Sequence, residues 1–322
     1  MEKIVYIVGS FTQVGLEYLK DHAIKTIVGP KKIPDEILKT VGDQITALVY
    51  PDSNFSLELL QQLPNLKIIL RCGVGVDNLP LKELTKRGIQ VTNTKGINSD
   101  AVAEMTVGLM IMLSRKILIA NAASKIGVKK LYTDEFTGTE LRGKTIGLVG
   151  YGHIAQKVEY LLAAFGADIL IANHTPKEVK YGCQVDLETL IENSDIISLH
   201  IPHTKETENL ISAQKITKMS SNTILINTSR GAILDEKALY QALVEKKLGG
   251  AALDTVKNEP MNPNNPLLQL DNVIITPHIG SQTYDTIEKT DLMVAKEFVH
   301  FLDTKQAIHP VNLLAENGGK YL

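Results

Sequence analysis

Cysteine is scarce in this chain: only Cys72 and Cys183 occur. That excludes a disulfide framework, and neither residue belongs to a paired-cysteine metal motif, so a reducing cytoplasm is the expected compartment. An excess of one charge is also lacking. Against 34 basic residues stand 36 acidic ones, a formal net charge of -2, which leaves no global field to recruit nucleic acid. No basic tail or zinc-finger spacing reverses that expectation. Nor is any apolar run long enough for a bilayer. The stretch from Met105 to Leu113 is bounded by Glu104, Arg115 and Lys116, far below the roughly 20 residues a span requires. The opening MEKIVYIVGS enters a strand too early for a cleavable signal peptide. Internal repeats and low-complexity linkers are absent as well.

What is present is a chain of 322 residues, 44% hydrophobic and 22% charged, which is enough for roughly two domains with substantial cores. It is organised around KTIGLVGYGHIAQKVEYLLAAFGADILIAN, residues 144–173. An apolar strand pattern over Ile146 to Val149 runs into Gly150, Gly152 and Ala155. An apolar helical face follows through Val158, Leu161, Leu162 and Phe165. This is the pattern of a nucleotide-binding βαβ unit. Gly150 permits the tight turn, Gly152 lets the backbone approach a pyrophosphate, and Ala155 is small enough for close helix–strand packing. A glycine turn alone fits a flavin, nucleotide or sugar ligand, or a merely tight turn. The second strand then ends at Asn173, 23 residues after Gly150, where an acidic ribose ligand is the usual residue. That departure opens the question of a phosphorylated ribose.

Periodicity predicts alternating strands and helices over residues 1–100. The strands are Ile4 to Val8, Ile24 to Val28, Ile45 to Tyr50, Lys67 to Leu70 and Ile89 to Val91. Helical segments fall near 13–21, 33–41, 56–63 and 79–87, which is a parallel-sheet pattern with right-handed crossovers. A long helix is predicted from Ser99 toward Lys125, with a break near Gly108. Its apolar content exceeds what one exposed amphipathic helix needs, so burial between domains, against another subunit or within one subunit are all open. After a polar loop near Tyr132 to Thr139, further strands are expected at Ile196 to His200, Ile224 to Asn227, Gly250 to Asp254 and Val273 to Thr276. A helix near Tyr284 to Leu302 precedes a polar tail. NEPMNPNNP, Asn258 to Pro266, is too proline-rich for a helix and is expected to be an ordered loop.

Several strand-end segments can do chemistry. In RCGVGVDN, residues 71–78, Gly73, Val74 and Gly75 can offer backbone donors to a small anion, or form only a tight turn. In NTSRG, residues 227–231, Arg230 can hold a carboxylate through two parallel bonds while polarising an adjacent carbonyl. An inward Arg230 would instead be a structural ion-pair residue. Glu259 and His278, in NEP and PHIGS, suit proton transfer, the carboxylate orienting the second imidazole nitrogen; a solvent-facing glutamate and a structural histidine are the alternatives. His200 is a cofactor neighbour or a core histidine. Asp254 orients a nicotinamide amide or caps locally, and Ser281 lies near the site or caps the helix after PHIGS. His200 and His203 lack an accompanying ligand set for a metal. Ser229 lacks the glycine frame of a hydrolase elbow.

RCGVGVDN, GYGHIA, SLHIPHTKET, INTSRGAILDE, AALDTVKNEP and TPHIGS occur in one order along the chain, and on these motifs it resembles the D-isomer-specific 2-hydroxyacid dehydrogenases over nearly its full length. The glyoxylate and hydroxypyruvate reductases and the phosphoglycerate dehydrogenases look nearest. The resemblance implies an α/β protein of two doubly wound parallel-sheet domains. A flavodoxin-like substrate domain takes residues 1–99 plus 289–322, and a Rossmann nucleotide domain takes 100–288. It further implies a homodimer meeting largely through nucleotide-domain elements, including the long helix after Ser99. On matching motifs, Arg230 binds the substrate carboxyl and carbonyl oxygens, His278 is the acid/base and Glu259 its partner. Gly73, Val74, Gly75 and Ser281 join Arg230 around the substrate.

The implied cofactor positions are Gly150, Tyr151, Gly152, His153 and Ile154 in the glycine turn, and Asn173, His174 and Thr175 after the second strand. His200, Ile201, Pro202, Thr228, Asp254, His278 and Gly280 complete them. Because Asn173 does not repel a 2′-phosphate, and His174, Thr175 and Lys177 can bind one, the reading leans to NADP over NAD. The expected reaction interconverts a small 2-oxoacid and its D-2-hydroxyacid. A phosphorylated hydroxyacid aided by Arg71 and Lys95, or a nucleotide-sensing protein with weak turnover, are the alternatives.

Overall fold

The computed structural model describes residues 4–51, 55–76, 79–128 and 133–314. Asp77, Asn78 and Tyr132, which the sequence reading included in its motifs, lie outside the described residues. The chain divides into two compact units, Met1–Asn98 with Gln282–Leu322, and Ser99–Ser281. The second crossing falls before the long C-terminal helix rather than within it at 288/289, because a continuous helix packs as one body and is not shared between cores.

The first unit contains, in chain order, β1 (Ile4–Val8), α1 (Gln13–Asp21), β2 (Lys25–Gly29), α2 (Asp35–Val41), β3 (Ile45–Tyr50), α3 (Leu59–Gln62), β4 (Ile68–Arg71), α4 (Leu81–Lys86) and β5 (Gln90–Thr92). The strands form a parallel sheet ordered β2-β1-β3-β4-β5, the flavodoxin-like order. On β1, Ile4, Tyr6 and Val8 enter one core and Val5 and Ile7 the other. Both faces are thus buried, as an all-apolar strand requires. The expected polar tail is partly docked. Val311 donates its N–H to Val91 O at 2.8 Å, and the buried Asn312 accepts from Val91 N at 2.7 Å and donates to Ile89 O at 3.0 Å.

The second unit contains α5 (Ser99–Ser114), α6 (Ile117–Lys125), β6 (Thr145–Val149), α7 (His153–Phe165), β7 (Asp168–Ala172), β8 (Cys183–Gln184), α8 (Leu187–Asn193), β9 (Ile196–Leu199), α9 (Ala213–Ile216), β10 (Ile224–Asn227), α10 (Glu236–Val244), β11 (Gly250–Leu253) and β12 (Val273–Ile275). The chain then returns to the first unit as α11 (Tyr284–Thr304), whose Val294, Ala295, Phe298 and Phe301 pack against Val5, Ile7, Ala47 and Val49. The second sheet is parallel and ordered β12-β11-β10-β9-β6-β7-β8. Its order reverses between β6 and β9, and an open α/β sheet places its ligand beyond the carboxyl ends of the strands at such a point.

Two further points differ from the expected succession of elements. The long helix breaks at Lys116, not at Gly108. Lys116 adopts a left-handed φ of 52°, and the Ser114 carbonyl accepts the Thr139 N–H at 2.8 Å instead of one from a continuing helical turn. A lone helical glycine costs about 1 kcal/mol and does not by itself stop a helix. The short edge strand β8 was not anticipated, since two residues show no periodicity; it pairs Leu170 with Cys183 and Ile171 with Gln184. Burial of α5 lies within its own unit, where Val102, Ala103, Val107, Leu109 and Met110 are covered. By contrast α6 buries none of its residues and exposes Ile117 and Leu118. Among the described residues no helix is long and apolar enough to cross a membrane.

Candidate functional site

The carboxyl end of β6 turns directly into α7. Gly150 has φ 94°, and a Cβ there would stand 2.6 Å from His200 O and 2.5 Å from Ile201 Cγ2. Only glycine therefore lets the β6 and β9 ends close on one another. Gly152, the N-cap of α7, faces open space, with nothing within 4 Å of an added Cβ. The first-turn N–H groups of His153, Ile154 and Ala155 have no intrahelical acceptor and a helix N-terminus favours an anion. This open cradle at the switch point fits a dinucleotide pyrophosphate. Ala155 is fully buried under it.

Asn173 follows β7 directly. Its Oδ1 accepts the Tyr151 N–H at 3.1 Å, and its Nδ2 donates to Thr175 O at 2.8 Å and Thr175 Oγ1 at 3.3 Å. The carboxamide thus joins the glycine turn to the segment after β7, which carries the exposed His174, Thr175 and Lys177. His200 follows β9. Part of the residue meets solvent, yet its ring is enclosed, with Nε2 2.9 Å from Ser198 Oγ. Burial pushes the imidazole down to about 4, so it is neutral at neutral pH. Next to it, Ile201 packs on Gly150, and Pro202 O accepts from Thr207 Oγ1.

The Arg230 turn leaves β10 under the control of Asn227, a residue that sequence reasoning marked only as a strand end. Asn227 is fully buried. Its Nδ2 donates to Arg230 O at 2.9 Å, and its Oδ1 accepts from Ser229 N at 3.1 Å and Ser229 Oγ at 2.9 Å. Arg230 Nη1 donates to Ser229 O at 2.7 Å. Gly231 seats this turn on the next loop, since a Cβ would come within 2.0 Å of Val256 C and 2.2 Å of Lys257 N. Thr228 is anchored to α5 by a 2.9 Å hydroxyl pair with Thr106.

Beyond β11 and β12 lie the proton-transfer candidates. His278 Nδ1 is 2.8 Å from Glu259 Oε2, and Glu259 Oε1 accepts the Val256 N–H at 3.2 Å. Both side chains keep solvent access, 46% for His278 and 40% for Glu259. The turn presenting His278 (φ 55°) is organised by the buried Asp254. Asp254 Oδ1 accepts from Thr276 Oγ1 at 2.7 Å and Ile279 N at 2.8 Å, and Oδ2 accepts from Gly280 N at 2.8 Å. A carboxylate offers about four acceptor sites; three are taken, which leaves one on Oδ2. Ser281 does not cap the helix that follows it. That cap is Thr283, whose Oγ1 accepts the Thr286 N–H at 3.1 Å.

In the first unit, the turn after β4 is braced from behind. Arg71 donates to Gly75 O at 3.2 Å, to Cys72 O at 3.1 Å and to Pro51 O. Asn93 Nδ2 donates to Val74 O at 2.8 Å, and Thr94 N to Gly73 O at 3.2 Å. The Arg71 guanidinium is therefore engaged by backbone carbonyls of its own turn. Burial and the neighbouring Asp291 push the Cys72 thiol up to about 12, Arg71 opposing, so this cysteine stays protonated.

Comparison with known proteins adds to this geometry. Residues 107–280 match the family model described as D-isomer specific 2-hydroxyacid dehydrogenase, NAD binding domain. A glyoxylate reductase of Thermofilum pendens is 38% identical over 311 residues, 92% of this chain and 91% of that protein. A D-3-phosphoglycerate dehydrogenase of Archaeoglobus fulgidus is 34% identical over 96% of this chain but only 59% of its own length. Among solved structures, an NADPH-dependent glyoxylate/hydroxypyruvate reductase of Sinorhizobium meliloti, in complex with NADP and malonate, superposes with a TM-score of 0.83. It is 26% identical and covers 100% of this chain and 99% of that one.

Proposed function

The chain belongs to the D-isomer-specific 2-hydroxyacid dehydrogenase family, and from that premise we propose that it interconverts a small 2-oxoacid, of glyoxylate or hydroxypyruvate size, and its D-2-hydroxyacid with a nicotinamide dinucleotide, NADP(H) before NAD(H). The observation that carries this reading is the 2.8 Å pair of His278 Nδ1 and Glu259 Oε2, held at the same sheet edge as Arg230 and the open glycine turn.

When bound, the nicotinamide supplies the hydride for reduction and receives it in oxidation. With Nδ1 on the carboxylate, the proton that moves is carried by Nε2 of His278, which gives it to the developing alkoxide and takes it back in the reverse direction. Glu259 fixes the orientation and tautomer of the ring through its 2.8 Å contact with Nδ1. Arg230 holds the substrate carboxylate and stabilises charge growing on the carbonyl oxygen. In this proposal Ser281 adds a substrate contact and the free site on Asp254 Oδ2 takes the nicotinamide amide; in the first unit the Val74 and Gly75 amides are the donors for a small anion, because the Gly73 N–H is already taken by Arg71 O at 3.0 Å. The lean to NADP rests on the uncharged Asn173 and on His174, Thr175 and Lys177. Engagement of Arg71 by its own turn removes one of the two cations that a phosphorylated substrate would use.

A homodimer is part of the proposal, supported by the apolar residues Ile117 and Leu118 that α6 leaves uncovered at 42% and 41% exposure. A reducing cytoplasm is supported by Cys72 and Cys183 both being free. Purified protein assayed with NADPH and NADH against glyoxylate, hydroxypyruvate, pyruvate and phosphohydroxypyruvate tests the reading. The unphosphorylated acids are expected to turn over fastest. Binding of dinucleotide without turnover on any of them would leave the nucleotide-sensing alternative.

A further inference from the structure

Glu159 stands in the second turn of α7, only 2% exposed, and touches none of the groups assigned to proton transfer. Its Oε1 accepts three successive backbone N–H groups, from Lys180 at 3.2 Å, Tyr181 at 2.8 Å and Gly182 at 2.9 Å. Its Oε2 accepts the phenol of Tyr151. Tyr151 is the middle residue of the Gly150–Gly152 turn, 6% exposed. Burial and Glu159 push its hydroxyl up to about 12, so it remains a donor.

A buried carboxylate is costly unless donors answer it, and here four do. They close a ring. The Tyr151 N–H holds Asn173 Oδ1 at the start of the segment after β7, and the Tyr151 hydroxyl, through Glu159, holds residues 180–182 at its end. Between them Gln184 Nε2 donates to Asn173 O at 3.0 Å and Thr175 O at 3.3 Å, and its Oε1 accepts the Lys177 N–H at 2.9 Å. Gly182 allows the closure, since a Cβ there would stand 2.6 Å from Ile169 O. An apolar residue at 159 would leave these three N–H groups without their side-chain acceptor.

We propose that Glu159 and Tyr151 form a positioning pair for the dinucleotide, holding residues 173–182 in one conformation against the glycine turn and so setting how tightly and how selectively the adenosine ribose end is bound. This rests on the nicotinamide-dependent reading given above. Glu159 acts through Asn173 and Thr175 and is a positioning residue, not a catalytic one.

Wild type, Tyr151→Phe, Glu159→Gln and Glu159→Ala are compared by calorimetric binding of NADPH and NADH, by hydrogen exchange of the 180–182 amides without cofactor, and by kcat at saturating dinucleotide. Tyr151→Phe, which keeps the ring and loses one hydrogen bond, is expected to weaken binding about fivefold. Glu159→Ala should weaken it at least about tenfold, bring the two dinucleotide affinities closer together and expose the three amides to exchange. Glu159→Gln, whose amide oxygen still accepts those N–H groups, should recover most of the loss. In the two Glu159 variants kcat at saturating dinucleotide should stay within about twofold. Unchanged affinities and exchange in the variants, or a fall in kcat of the Glu159 variants matching their loss of binding, would overturn the pair's role. If Glu159→Ala does not fold, Tyr151→Phe decides. A wild type that binds neither dinucleotide overturns the enzymatic reading and this one with it, whereas a binding wild type with unaffected variants overturns only this one.

Discussion

His278 and Glu259 meet at 2.8 Å although 19 residues separate them, because β11 and β12 are adjacent parallel strands whose carboxyl ends open on the same edge. The ring is placed by two carboxylates with separate tasks. Asp254 shapes the turn, and Glu259 orients the imidazole.

Removing the imidazole should therefore cost chemistry rather than binding. For His278→Ala, kcat is expected to fall roughly 10²–10⁴-fold, with dinucleotide affinity little changed. Glu259→Gln should cost less, since an amide oxygen still accepts the Nδ1 proton. Steady-state kinetics paired with calorimetry checks both; full activity in His278→Ala rejects the acid/base assignment.

At the end of β7, Asn173→Asp replaces a donor that faces Thr175 O at 2.8 Å with an oxygen, and adds negative charge where a 2′-phosphate would lie. The NADPH-to-NADH ratio of kcat/KM is expected to drop about tenfold, equivalent to about 1.4 kcal/mol. A ratio that does not move would show that Asn173 is not a selector.

Gly231→Ala probes the seat of the Arg230 turn. The new Cβ meets backbone atoms at 2.0 and 2.2 Å, which cannot give way as a flexible side chain would. Overpacking of this kind costs about 1–3 kcal/mol, so the melting temperature should drop by about 2–10 °C and the KM for substrate should rise as Arg230 shifts. A variant with wild-type melting temperature and KM would contradict the tight seating.

His200 should leave a signature in acid. Its imidazole sits at about 4 in the folded chain against about 6.5 when unfolded. Between those values the unfolded state binds the extra proton, so stability is full above about pH 6.5 and declines as pH falls toward 4, by up to about 3 kcal/mol. Denaturant titrations of wild type and His200→Gln across pH 4–8 measure it; equal slopes in the two proteins would exclude His200 as the source.

Local chemistry in the chain determined the strand and helix succession, because buried parallel strands read as apolar runs and Gly150, Gly152 and Ala155 mark a turn only small residues can make. It also nominated Arg230, Glu259 and His278 as groups able to polarise a carbonyl and move a proton. Only the tertiary structure decided which of these groups meet and what supports them. The Glu259–His278 contact, the three donors around Asp254, the Asn227 grip on the Arg230 turn and the Glu159–Tyr151 ring join residues from different elements. So does the α5–α6 break, where Thr139 takes the Ser114 carbonyl. Such pairings depend on strand register and on the satisfaction of buried polar groups, which no local periodicity records.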